Sequence, residues 1–453
     1  MFETIKNAWK VVELRKKILF TLFIVIVFRV GAAIPVPFLN SEALQALMDP
    51  IMNPNSTVSG GDSLLGFLNI MSGGAFGNAT LFAMSITPYI NASIIINLLT
   101  VAIPALERMA RDGEEGRKKI GSITRYVTVV LGLIQGTAYY FFLRNTNQTT
   151  NGEALPGYII DDPYRDGGAG VFVAFVIIFT FTAGSALMMW LGEQINQYGI
   201  GNGISILLFA GIVARLPMTI STFVSYFQFG AQQAKYYFFV PLVIVLFLAL
   251  IWVIVFMYDA ERRIPIQYAK RVVGRKMYGG QSTHMPIKVN MSGVMPIIFA
   301  SSILSIPSTI ELFAPAKDGT FWKSVLNALS PSGWLYSILY FVFIIAFAYF
   351  YTAIQYNPIE MSNNLRKNNG AIPGIRPGKP TTDYIAKILS KITLIGALFL
   401  AVVALMPNIA AAITGMHVSL GGTSIIILVG VALETVRQIE SQMLMRHYKG
   451  FLE

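Results

Sequence analysis

The chain has 453 residues, of which 54% are hydrophobic and only 13% charged, against about 25% charged in an ordinary soluble domain. So few charges cannot cover a water-facing globule, which leaves a polytopic membrane protein with room for about ten spans. The net charge of +11 matters less than its placement, while the lack of cysteine and three scattered histidines, His284, His417 and His447, exclude disulfides, thiol catalysis and a histidine metal site.

Apolar stretches of about 20 residues begin near Ile18, Ala79, Ile120, Gly170, Gly203, Tyr237, Ser292, Trp334, Leu389 and Gly421. They are continuously apolar rather than alternating, which predicts helices and not a membrane β-barrel. The first follows a basic start, lacks a small-residue cleavage site and reads as a retained span. With the N-terminus placed in the cytoplasm, 25 Lys and Arg fall in the connecting segments of that side and five in those of the other. This bias predicts that both termini are cytoplasmic.

Four basic residues lie within the spans. Arg125 and Lys391 near cytoplasmic ends, and Arg215 near an outer end, are expected to snorkel. Arg29 lies about eleven residues into the first span, roughly 16 Å deep at 1.5 Å per residue. Both a structural pair inside the bundle and a functional role fit that depth.

Residues 62–76, ahead of the second span, read DSLLGFLNIMSGGAF. The segment is too short to cross, carries Leu64, Leu65, Leu68 and Met71 at helical spacing, and has Asp62 as a cap. It reads as a re-entrant segment buried in protein or lining a cavity, with an interfacial helix as the alternative.

The second span contains Pro88-Tyr89-Ile90-Asn91-Ala92-Ser93 and the seventh contains Pro296-Ile297-Ile298-Phe299-Ala300-Ser301. Pro, Ile, Ala and Ser recur at the same offsets, and five spans precede residue 230 while five follow. This predicts an inverted-topology repeat, 1–230 and 231–453, whose working site lies where proline-interrupted helices meet.

Two long cytoplasmic segments remain, 259–291 and 355–388. The first carries Arg262, Arg263, Lys270, Arg271, Arg275 and Lys276, and the second Arg366, Lys367, Arg376 and Lys379. Such basic stretches suit anionic lipid, or a protein or RNA partner. In Pro373-Gly374-Ile375-Arg376-Pro377-Gly378 the prolines fix φ and the glycines permit a sharp bend, so Arg376 is expected on a stiff tip.

Several chemistries lack a signature. GIRPGK at 374–379 misses the phosphate-loop spacing, and GIGNG at 199–203 reads as the cap of the fifth span. No Asp, Glu or His lies deep in a span, since Glu193 and Glu434 sit toward cytoplasmic ends. ATP hydrolysis, proton relay and intramembrane proteolysis are therefore not expected of this chain alone.

The stretches LFAMSITPYINASIIINLLT from Leu81, WLGEQINQYGIGNGISILLFAGI from Trp190, YAKRVVGRKMYGGQSTHMPIKVNMSGVMPIIFASS from Tyr268 and IPGIRPGKPT from Ile372 resemble the SecY family, the large subunit of the protein-conducting channel. The tail from Gly421 fits as well. The resemblance implies an all-α polytopic membrane fold, with ten transmembrane helices in two inverted five-helix halves around a central hourglass pore and a short re-entrant plug helix. It implies a pore ring of Ile86, Ile90, Ile204, Leu208, Ile298 and Ile427, with Leu208 where some relatives have isoleucine. Branched aliphatics in a ring close by dewetting and still yield to a passing chain.

The resemblance assigns the plug to 62–76, with Asp62, Leu64, Leu65, Phe67, Leu68 and Met71. It assigns a lateral gate to spans two and seven, with Pro88, Asn91, Ser93, Pro296, Ser301 and Ser302. Docking of a motor or ribosome falls to Arg275, Lys276 and Arg376. The implied partners are SecE-like and SecG-like small subunits, a SecA motor ATPase, the ribosome, signal sequences, unfolded preproteins and membrane lipids, with no DNA, no cofactor, no metal and no catalysis. The implied location is a bacterial plasma membrane. Segments 49–61 and 144–168 are longer than in many relatives. A secondary transporter would place a polar solute pocket where this sequence has aliphatic residues, and a passive scaffold would leave the interrupted helices and the basic tip without a purpose.

Overall fold

The computed structural model describes residues 6, 8–52, 69, 72–146, 157–160, 167–231, 233–268, 271–273, 276–278, 282–313, 321–329, 333–416 and 421–449. The predicted plug residues Asp62, Leu64, Leu65, Phe67, Leu68 and Met71, the docking residue Arg275 and the histidine His417 lie outside them.

A backbone in lipid has no water to bond, so its N–H and C=O groups must pair within the segment, and apolar runs become helices. The first is α1, Val12–Gly31, followed by a short amphipathic α2, Ser41–Met52. Next come α3, Thr87–Ala102, and α4, Pro104–Arg111, bent by 105° at Ile103. Two long helices follow, α5, Gly113–Asn145, and α6, Gly167–Tyr198. The fifth predicted span is α7, Gly203–Val213, continued after a break by α8, Leu216–Phe229. The sixth is α9, Lys235–Asp259.

The second half holds α10, Met295–Phe313, a short α11, Phe321–Ala328, α12, Trp334–Gln355, and α13, Pro358–Lys367. It closes with α14, Lys379–Thr414, and α15, Gly422–Lys449. Among the described residues, seven helical segments are each long and apolar enough to cross a bilayer, and the bent α3–α4 pair is an eighth. Helices α1 and α10 occupy the other two predicted positions, α10 with the shorter apolar run Met295–Pro307.

Two expectations change. The second span does not start at Ala79: residues 72–86 form turns and a bridge, and the helix begins at Thr87. Nor does Pro88 interrupt a helix. It sits in the first turn of α3, where its missing N–H would have had no intrahelical partner. Pro296 is likewise the second residue of α10. The repeated Pro-x-Ile-x-Ala-Ser motif thus marks two helix starts, and the proline inside α10 is Pro307.

The segment 259–291 is not an open loop. It contains β1, Glu261–Tyr268, β2, Arg271–Val273, β3, Lys276–Tyr278, and β4, Ser282–Lys288. Strand β1 pairs antiparallel with β4 on one edge, Ile264 facing Met285, and on the other with β5, Gly370–Ala371, from the second long segment. Buried Ile264 and Ile266 alternate with exposed neighbours along β1 and pack with Ile287, Leu365, Ile372 and Ile385. The two long segments therefore share one small apolar core at this end of the bundle, hereafter the sheet end.

Candidate functional site

Five of the six predicted ring residues are buried in the central core, Ile86, Ile90, Leu208, Ile298 and Ile427, and the partly buried Ile204 packs against it. Each is placed by a helix terminus. Ile86 is the N-cap of α3, with Ile90 one turn on. Ile204 and Leu208 are likewise one turn apart on α7. Asn202 caps α7, its side chain accepting from the Ile204 and Ser205 N–H groups at 3.2 and 3.4 Å. The start of α7 lies so close to α6 that a Cβ on Gly203 would overlap the Gly192 carbonyl.

Above this cluster, toward the sheet end, opens a cavity of 340 Å³. Leu208, Ile298 and Ile427 line it together with Asn202, Ser205, Asn290, Lys288, Glu434 and Arg437. A polar vestibule therefore meets aliphatic side chains drawn from both halves of the chain. Such an arrangement admits water and polar chain on one side and is dry where the side chains meet. Among the described residues, no group of three His, Asp or Glu is placed to hold a metal ion.

Helix α3 packs against α10, and both pack against α5. Between them lies an apolar groove of 470 Å³, lined by Asn91, Ile94, Ile134, Tyr139, Ile303 and Ile306 among others. Of the predicted gate residues, Pro88, Pro296, Ser301 and Ser302 are buried, and Asn91 and Ser93 half-buried. The Ser301 hydroxyl donates to the Ile298 carbonyl of its own helix at 3.0 Å, and Asn97 donates to Ser93 at 3.5 Å along α3. These polar groups are satisfied along their helices.

The described end of the predicted plug, 72–76, is a buried, hydrogen-bonded turn. Asn69 Oδ1 accepts from the Gly77 N–H at 2.9 Å, and Ser72 Oγ accepts from the Phe76 N–H at 2.9 Å. Tyr139 of α5 donates to the Phe76 carbonyl at 2.7 Å. Arg29 Nη1 reaches the Gly73 carbonyl at 3.5 Å. Arg215 does not snorkel as expected: its guanidinium lies 3.2 Å from where a Gly74 side chain would begin, with Nη1 3.5 Å from Met218 Sδ. At the break between α7 and α8, the half-buried guanidinium thus meets the polar backbone of this turn. Arg125, also expected to snorkel, is exposed and pairs with Glu193 across α5 and α6 at 2.7 Å.

On the sheet end, Arg376 is exposed on a turn in which Gly374 and Gly378 take φ of 80° and 105°. Thr381 donates to the Arg376 carbonyl at 2.8 Å and Ser362 to the Gly378 carbonyl at 3.2 Å. The tip is thus braced by α13 and α14, as its prolines and glycines predict. Lys276 lies in β3.

The SecY family profile matches residues 80–436, well over half of the chain. The chain belongs to the SecY family. The protein translocase subunit SecY of Streptomyces coelicolor is 42% identical over 454 residues, covering all of both chains, and that of Thermotoga maritima is 42% identical over all of this chain and 98% of its own. Among solved structures, one described as "The structure of a protein conducting channel" covers 95% of this chain and 92% of its own, with a TM-score of 0.62 at 18% identity. Another, described as showing that the plug domain of SecY stabilises the closed state, has the same coverage, a TM-score of 0.65 and 16% identity. Apolarity marks up to eight spans among the described residues, and ten transmembrane helices are consistent with the family. The chain is accordingly a multi-pass membrane protein, and its SecY relatives are bacterial.

Proposed function

We propose that this chain is the central subunit of a Sec translocation channel, a passive gated pore that passes unfolded secretory polypeptides and releases transmembrane segments sideways into lipid. The observation that carries this reading is the meeting of a polar vestibule with an aliphatic constriction beside an apolar groove between α3, α5 and α10. In this reading Ile86, Ile90, Ile204, Leu208, Ile298 and Ile427 form the ring, 62–76 is the plug, and Pro88, Asn91, Ser93, Pro296, Ser301 and Ser302 border the lateral gate. The halves 1–230 and 231–453 are inverted repeats, both termini face the cytoplasm of a bacterium, and the sheet end is cytoplasmic.

The driving force comes from a partner, a SecA motor or a ribosome, docking on Arg275, Lys276 and Arg376, with SecE-like and SecG-like subunits completing the channel. One similar structure is described as Sec61 in a canine ribosome–channel complex, with a TM-score of 0.57. The test is a protease-protection assay in vesicles containing this chain, its SecE-like partner, the motor, ATP and a signal-bearing precursor. Protection that requires both ATP and the signal is expected. Its absence, with a working translocon in parallel, would bring back a solute transporter.

A further inference from the structure

Helices α5 and α6 meet closely at Gly132 and Gly136: a Cβ on Gly132 would stand 2.8 Å from Ser185 Oγ, and one on Gly136 3.4 Å from the Ile178 carbonyl. Beyond this contact, toward the end of α5 and the start of α6, runs a second apolar groove, of 560 Å³. The far end of α6 leads to Asn202 in the vestibule, so the groove lies at the end of the bundle away from the sheet.

Leu133, Thr137, Tyr140, Phe141 and Arg144, at helical spacing along α5, form one wall. Gly170, Ala174, Phe175 and Phe179 belong to the other, on α6. The small Gly170 and Ala174 leave the hollow, and the exposed, stacked rings of Phe175 and Phe179 border it. The Thr137 hydroxyl donates to the Leu133 carbonyl at 2.7 Å, so it asks no hydrogen bond of an occupant. This is a different face of α5 from that of Ile134 and Tyr139, which border the groove shared with α3 and α10.

The dimensions select the occupant. Between Arg125 and Arg144 the sequence carries no charge, and at 1.5 Å per residue these two lie about 28 Å apart along α5. A bilayer's hydrocarbon core is roughly 30 Å thick. Arg144, in the last turn of α5, therefore stands at one membrane boundary, opposite the Arg125–Glu193 pair at the other. Leu133 lies about 16 Å deeper than Arg144, near the midplane. The groove is thus one leaflet long, apolar from the midplane outward, with a cation at its polar end. A phospholipid has that shape and the opposite charge: an acyl chain to lie in the hollow, and a phosphate whose oxygens suit the fork of a guanidinium. A partner's transmembrane helix, about 10–12 Å across, is too wide for a hollow floored by two touching helices.

We infer that the α5–α6 groove is a binding site for a glycerophospholipid of the leaflet away from the sheet end, with its phosphate on Arg144 and one acyl chain against Gly170 and Ala174. The inference rests on the membrane-spanning placement of α5 and α6 and not on the channel reading.

The test uses the complex assembled with its small subunits in vesicles that contain phosphatidylglycerol with a diazirine in its acyl chain. The complex is extracted and washed in mild detergent to remove bulk lipid, then irradiated, and the labelled peptides are mapped. Label is expected on residues 133–141 and 170–179, several-fold above that on α9, whose exposed Leu248 and Trp252 report residual bulk lipid. Arg144→Gln should lower the groove label about fivefold, the effect of one cation at a membrane surface, and Arg144→Lys should retain most of it. Ala174→Phe fills the hollow and should abolish the label.

Groove label no higher than that on α9 in the wild-type complex would overturn the inference, because bulk lipid alone, or a small subunit, then occupies this face. Label that survives both Arg144→Gln and Ala174→Phe would overturn it as well. Equal losses in Arg144→Lys and Arg144→Gln would remove the phosphate from Arg144. If Ala174→Phe does not assemble, unchanged label in Arg144→Gln overturns the inference by itself.

Discussion

The hydroxyl of Tyr139, buried in the last two turns of α5, donates to the main-chain carbonyl of Phe76 at 2.7 Å, and the two rings stand 4.5 Å apart. Tyr139 also borders the groove between α3, α5 and α10. One side chain thus touches both the end of the proposed plug and the proposed gate, which ties the two together in the proposed reading.

Tyr139→Phe keeps the ring and deletes this bond. The Phe76 carbonyl keeps its bond from the Ala79 N–H at 3.1 Å, so the loss is that of one hydrogen bond, about 0.5–1.5 kcal/mol. The resting ion conductance of the variant in planar bilayers should rise, with folding and insertion intact. A closed-state conductance equal to wild type would show that the bond does not hold the plug.

Ile90→Ser and Ile298→Ser place hydroxyls in the aliphatic cluster and should each raise resting ion leak, because a dry constriction depends on apolar walls. Leakage matching wild type in both variants would argue against a ring at these positions.

The start of α7 separates a cap from a packing contact. Asn202→Ala loses two N-terminal hydrogen bonds and should cost about 1 kcal/mol, seen as a modest fall in the unfolding midpoint in detergent. Gly203→Ala forces α6 and α7 apart at the Gly192 carbonyl and should cost several times more. Equal effects would mean that the close approach is not needed.

Arg376→Glu reverses the charge on a tip whose backbone is braced by Ser362 and Thr381. The variant should insert normally and lose motor-driven export, scored by precursor accumulation. Export at the wild-type rate would remove Arg376 from the docking surface.

The helices were legible because lipid forces apolar sequence to pair its backbone internally, and that demand leaves its mark in every run. It was less legible where α3 begins. Residues 79–86 are nearly as apolar as the helix that follows, yet Ala79 and Ser85 take positive φ, a backbone choice that hydropathy does not register. The small sheet was missed for another reason. In β1 only Ile264 and Ile266 mark the buried face, and β5 has two residues, so the pattern is shorter than any periodicity test and its pairing joins segments a hundred positions apart in the chain. The aliphatic cluster was legible only through resemblance, since isoleucines in a membrane helix are ordinary.

In the proposed channel a translocating polypeptide passes through the aliphatic cluster. The natural absence of cysteine allows a direct measurement. Ile298→Cys would be paired with a single cysteine moved along a stalled precursor, and disulfide formation recorded in the intact complex. A bond is expected at a narrow window of precursor positions, present only with ATP and a functional signal, while a cysteine at the exposed Trp252 on α9 gives none. Disulfides at Trp252 and none at Ile298 would contradict it.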